Sequence, residues 1–254
     1  MTLVGLSAAA ALGLVSGISI GCIGIGGVIL VPIMVEFGIP IHTAIASAMA
    51  GYILTGLVGT GVFLKKGTLN WSSARWLLVG AMPAAILGSI AAKAAPSFLL
   101  ELIVALLTGF TGFQSLVRAS PKIDTRQSKF TLSNTARGGL GAFTGFLSAL
   151  TGTGGPTVLV PLLLWLEVPV LVAIGLAQAI QLPIAVLATA SNTVNGTLDL
   201  VLALELGIGL IIGAWIGARL AHSLNQQVLR SIVAIVLIGI CALSLFRISR
   251  GFIG

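Results

Sequence analysis

Seven stretches of this chain, 3–20, 40–64, 76–92, 98–117, 169–190, 200–218 and 228–246, are apolar and nearly free of charge. Each runs for roughly the 18 residues that mark a bilayer-spanning segment. Inside a bilayer no water is available to bond exposed N–H and C=O groups. A spanning chain must close those bonds within helices or around a closed barrel. A barrel needs alternating segments of about ten residues, and the chain has none. The expectation is an all-α polytopic membrane protein. Composition agrees: 57% of the 254 residues are hydrophobic and 7% are charged, against about 25% charged in a soluble domain.

The apolar pattern is interrupted twice in the same way. Gly13, Gly17, Gly24, Gly26 and Gly27 precede Leu30-Val31-Pro32; Gly141, Gly145, Gly152, Gly154 and Gly155 precede Leu159-Val160-Pro161. The offset is 128 before the break and 129 after it. At the second offset Pro40 meets Pro169, Ala44-Ile45 meets Ala173-Ile174, and Gly67-Thr68-Leu69 meets Gly196-Thr197-Leu198. Gly80 and Gly88 meet Gly209 and Gly217, with no gap from Leu30 to Ala105. Shared glycines and prolines at a fixed offset indicate duplication. The expected organisation is a first membrane repeat over 1–118, a basic loop over 119–137 and a second membrane repeat over 138–254. Each repeat carries five elements: 3–20 or 138–150, a short one at 28–37 or 157–167, then 40–64 or 169–190, 72–93 or 200–221, and 98–118 or 227–247.

The short element has about ten residues, or about 15 Å of helix. That is half of a bilayer core of about 30 Å. The two homologous halves are thus expected to carry glycine-broken short or re-entrant helices that meet near the membrane midplane. Non-helical backbone at that depth must face protein or a water-filled cavity. Such a duplicated break is the pattern of a transporter's midplane site. Charge leaves the relation between the halves open. An even number of crossings per half makes parallel repeats and puts Lys93, Arg219 and Arg230 on the wrong side. An odd number makes inverted repeats, with Lys93, Arg247 and Arg250 as exceptions.

The net charge is +7, and its centre is the loop bearing Arg118, Lys122, Arg126, Lys129 and Arg137 against one Asp124. That is the excess expected of a cytoplasmic loop among lipid headgroups, and no nucleic-acid partner is expected. Cys22 and Cys241 make no disulfide framework. The first apolar segment resembles a signal-peptide core but lacks a basic n-region. Because it is duplicated inside the chain, it is expected to be retained.

A break before a short helix frees N–H groups at a positive helix end, which suits an anion. Glycine lets that anion approach the backbone. Candidate substrate-binding residues are therefore Gly24, Gly26 and Gly27 in the first break, and Thr151, Thr153, Gly154 and Gly155 in the second. The threonine hydroxyls are expected to add donors. Gly13-x3-Gly17 and Gly141-x3-Gly145 read instead as close helix packing. Gln178 and Gln181 lie deep in an apolar segment, where an amide is costly without a partner; they either bond across helices or line the path. Carboxylates and imidazoles in such places can relay protons, which makes Glu36, Glu167, Glu205 and His42 the proton-coupling candidates. Glu36 and Glu167 also fit interfacial positions, and Glu205 reads as the one most exposed to the membrane. Asp199 fits a helix cap. No nucleotide-binding, metal-ligand or nucleophile motif is present. No cofactor, metal or enzymatic activity is expected, and any active transport must use an ion or substrate gradient.

On the motifs Gly24-Ile25-Gly26-Gly27-Val28-Ile29-Leu30-Val31-Pro32 and Thr153-Gly154-Gly155-Pro156-Thr157-Val158-Leu159-Val160-Pro161, the chain resembles the sulfite exporter TauE/SafE family, also called 4-toluene sulfonate uptake permeases. Pro40, Pro169 and the duplicated Gly-Thr-Leu turns fit, and the resemblance covers essentially the whole chain. It implies transport of sulfite, sulfoacetate or another organosulfonate across the bacterial inner membrane, coupled to the proton gradient. Pro156 departs from a pure glycine run, which puts equal roles for the two breaks in doubt. The partners implied are a small anionic substrate and membrane lipids, with a homodimer left open. The alternatives are a passive anion channel and a membrane-embedded thiol enzyme using Cys22.

Overall fold

The computed structural model describes residues 3–23, 27–65, 71–117, 133–166, 168–220 and 226–251. They form ten α-helices: α1 Leu3–Ile23, α2 Gly27–Glu36, α3 Ile41–Lys65, α4 Trp71–Ala94, α5 Ser97–Val117, α6 Asn134–Thr151, α7 Gly155–Trp165, α8 Val170–Val194, α9 Leu200–Leu220 and α10 Gln226–Gly251. No strand occurs among the described residues. Five helices are long and apolar enough to cross a bilayer: α3, α4, α5, α8 and α9. The protein is a multi-pass membrane protein.

The first helix of each set of five packs on a distant partner, α1 on α9 and α6 on α4. Glycine makes both seams, because it lets two backbones touch. A Cβ on Gly13 would lie 2.5 Å from the Leu206 carbonyl oxygen, and one on Gly17 as close to that of Leu210. In the other seam Gly141 abuts the Leu77 carbonyl and Gly145 that of Ala81. Return contacts follow the same rule: Gly209 meets Ala10 and Gly217 meets Ile18, while Gly80 meets Gly138 and Gly88 meets Phe146. Each of these contacts in one seam has a counterpart in the other at the offsets of 128 and 129, although Gly213, which meets Leu14, stands opposite Ala84 in that register.

Helix directions follow from the pairs in contact. α1 and α9 run parallel, as do α4 and α6. α3 and α8 run antiparallel, with Gly56 on Leu182, Gly59 on Gln178 and Gly175 on Phe63. α5 and α10 are also antiparallel: Gly112 meets Leu237, Gly109 meets Cys241, and Glu101 bonds Arg247. α2 starts at Gly27 beside Tyr52, in the middle of α3, and runs back to the start of that helix. α3 in turn runs alongside α9, with Ser47 bonded to the Asp199 carbonyl and Gly51 near Gly207. Hence α1 and α2 form a helical hairpin. α7 likewise starts beside Ala177 and Gln181 and runs back along α8, pairing with α6 in a second hairpin of opposite direction.

Between the hairpins lies a core of Leu30, Met49, Tyr52, Leu159, Leu163, Leu176 and Ile180, all fully buried. Outward faces carry large apolar side chains, including Leu106, Phe110 and Phe113 of α5. An exposed apolar surface of this kind suits lipid rather than water.

Candidate functional site: two hairpin tips in contact

The turn of the second hairpin is fixed by two glycines in the left-handed region. α6 stops at Gly152 (φ +67°), whose N–H bonds the Ser148 carbonyl. Gly154 (φ +78°) then caps α7, and Pro156 occupies the first turn. A side chain in that region costs about 1–2 kcal/mol, and proline at a helix start gives up an N–H that has no partner there anyway.

Thr151 and Thr153, on either side of Gly152, are fully buried. Their hydroxyls lie 2.9 Å apart, and Thr151 Oγ1 also donates to the Leu147 carbonyl at 2.7 Å. With its one proton on Leu147, Thr151 accepts from Thr153. Both hydroxyl protons are therefore used inside the tip. This corrects the expectation that the threonines add free donors. The donors left to α7 are the backbone N–H groups of its first turn, less the one that Pro156 lacks.

The start of α2 meets the second tip directly. A Cβ on Gly27 would overlap the Thr153 carbonyl. Tyr52 locks this junction: its hydroxyl donates to the Gly27 carbonyl at 2.9 Å, and its ring faces Gly154. Gln181 braces Tyr52 from α8, donating to Thr55 Oγ1 at 2.7 Å and, more weakly, to the Tyr52 carbonyl at 3.4 Å. The Oε1 atoms of Gln181 and Gln178 have no hydrogen-bond partner although both residues are buried. Tyr52 is not among the residues that the sequence singles out. The available signal was that it is the single tyrosine of the chain, placed deep in an apolar helix.

Gly27, Thr151, Thr153, Gly154, Gly155 and Gln181 thus come together, with Gln178 one turn away on α8. Gly24, Gly26 and Glu167 lie outside the described residues. The proton-coupling candidates lie apart from the tips. Glu36 ends α2 beside Arg247, 3.7 Å from its Nε. The same guanidinium donates to Glu101 at 2.7 Å and to the Val35 carbonyl at 2.9 Å. His42 Nε2 is 3.2 Å from the Ala95 carbonyl, at the start of α3. Glu205 is not the membrane-exposed residue that its sequence position suggests. It is 9% exposed, and neither carboxyl oxygen has a partner. It lies one turn before Gly209 on the glycine stripe that α9 turns toward α1, and residues four apart share a face. Asp199 caps α9 as expected, accepting from Leu202 N–H at 3.0 Å. Cys22 donates its thiol to the Gly217 carbonyl within the α1–α9 seam.

Ten helices among the described residues, five of them long and apolar enough to cross a bilayer, define a multi-pass membrane protein. Residues 9–244 match the family described as sulfite exporter TauE/SafE, and the chain belongs to that family of membrane transporters. It is also 29% identical over 179 residues to a protein of Bacillus subtilis (strain 168) named "Probable membrane transporter protein YdhB", covering 67% of this chain and 71% of that one. No solved structure matches the chain.

Proposed function

We propose that the protein is a secondary transporter that exports a small sulfur-containing anion, sulfite or an organosulfonate such as sulfoacetate, across the bacterial inner membrane. The observation that carries this reading is the contact between Gly27 and Thr153, which brings two helix starts to one point between α3 and α8. Each start presents unpaired N–H groups and a positive dipole end. Binding by such donors, without a lysine or arginine among the described tip residues, suits a substrate that must leave again.

Residues 1–118 and 138–254 act as inverted repeats joined by the cytoplasmic loop 119–137. The antiparallel pairs α3–α8 and α5–α10 and the matched glycine seams support this arrangement. Transport follows from rocking of the repeats about the tips. Glu205, a buried carboxyl with no partner, is the group best placed by burial to carry the coupled proton.

The test is sulfite flux in proteoliposomes with and without a pH gradient. Gly27→Leu and Gly155→Leu are expected to insert normally and to lose flux. Glu205→Gln is expected to keep downhill flux and lose its response to the gradient. Unchanged flux in the well-folded Gly27→Leu, Gly155→Leu double variant would sink the tip site. Wild-type flux that ignores the gradient would replace the carrier by a passive channel.

A further inference from the structure

We infer a second anion site, an antechamber at the end of the molecule opposite the central loop, formed by His42, Lys93, Asn192 and Thr197 for a small oxyanion. It deepens the proposed function, because it lies directly over the second tip. These side chains line one cleft together with Ile45. Ile45 is its floor: a Cβ on Gly152 would lie 2.8 Å from the Ile45 Cα. One residue therefore separates the cleft from the Thr151–Gly155 turn.

The cleft lies where α4 and α8 end, and free carbonyls at helix C-termini repel anions. Two carbonyls beside the cleft are already engaged. Ala95 O faces His42 Nε2, and Asn192 O accepts from both the N–H and the hydroxyl of Thr197. The polar group left over is a donor. Asn192 is 4% exposed, and its Nδ2 has no hydrogen-bond partner. A buried amide nitrogen without an acceptor is costly, and an oxyanion supplies the acceptor. Lys93, exposed at the rim, supplies the charge; among the described residues it makes a long bond of 3.4 Å to Asn195 Oδ1. No carboxylate lines the cleft. Asp199, the nearest acid in sequence, turns its Oδ1 to the N-terminus of α9. Neutralising the end of α4 accounts for Lys93 alone, but not for the idle Asn192 donor beside it.

The chain has two histidines, so the ring signals of His42 can be followed by NMR in labelled protein in nanodiscs. Sodium sulfite and sodium sulfate are titrated at constant ionic strength against chloride. The expected result is a saturable shift of the His42 signals with either oxyanion and none with chloride. Lys93→Gln and Asn192→Leu should each weaken it by about tenfold, the usual worth of a charge-assisted bond. Gly155→Leu should leave it in place. Absence of a saturable shift, or a shift unaltered in both cleft variants, would overturn the antechamber. Wild-type protein that shows the shift but no sulfite flux would overturn the transport reading and leave this site standing.

Discussion

At the residue scale, the two breaks have different steric tolerance, and this is where the site is most open to test. A methyl group on Gly27 has no room, since the Thr153 carbonyl occupies its place. At Gly155 the nearest atoms to an added Cβ are 3.5 Å away, an ordinary contact. Gly27→Ala is therefore expected to abolish flux, and Gly155→Ala to retain most of it. Equal loss in both would show that flexibility, not space, is what the glycines provide. Tyr52→Phe keeps the ring over Gly154 but leaves the Gly27 carbonyl without its donor. A loss of about 1 kcal/mol in stability is expected, read as a lowered melting temperature, with flux reduced severalfold. The glycines and threonines of the second tip were legible in the sequence because left-handed turns and freed helix starts require those residue types. What Thr151 and Thr153 do with their protons was not legible. That depends on Leu147 and on their mutual distance, which spacing alone does not encode.

At the element scale, glycine separates into two populations that composition cannot distinguish. Gly80 and Gly209 fit against backbone of the neighbouring helix, whereas Gly61 and Gly239 meet nothing within 4 Å. Adding a methyl in a filled seam forces helices apart, at a cost of about 1–3 kcal/mol. In open helix surface the same change improves helix propensity by up to about 1 kcal/mol. Gly80→Ala and Gly209→Ala should lower thermal stability in detergent, while Gly61→Ala and Gly239→Ala should hold or raise it. If all four behave alike, the seams are not what joins α1 to α9 and α6 to α4. Helix boundaries were read to within a few residues, since apolar run length, glycine and proline punctuate them directly. Partner choice was hidden. Nothing local to α1 says that it packs on the ninth helix rather than the third, because both offer small residues.

At the scale of the whole molecule, charge and direction must be reconciled. The sequence left parallel and inverted repeats tied because each scheme misplaces three basic residues. Under the inverted scheme two of them are Lys93 and Arg247, and both have local partners. Arg247 is held by Glu101 and lies near Glu36, and Lys93 reaches Asn195. The chain ends of α2 and α7 then give a direct test of the arrangement. Phe37 follows α2, Trp165 ends α7, and both are strongly exposed, at 73% and 70%. Parallel repeats would place them on one face of the membrane, and inverted repeats on opposite faces. With Cys22 and Cys241 replaced by serine, Phe37→Cys and Trp165→Cys are labelled in intact cells by a membrane-impermeant maleimide. Phe37→Cys is expected to react from outside, and Trp165→Cys only after the cells are opened. Lys65→Cys, at the end of α3 nearest the central loop, should behave like Trp165→Cys. Reaction of both Phe37→Cys and Trp165→Cys from outside would return the chain to parallel repeats, and with them the opposed tips would lose their meaning as one alternating-access site.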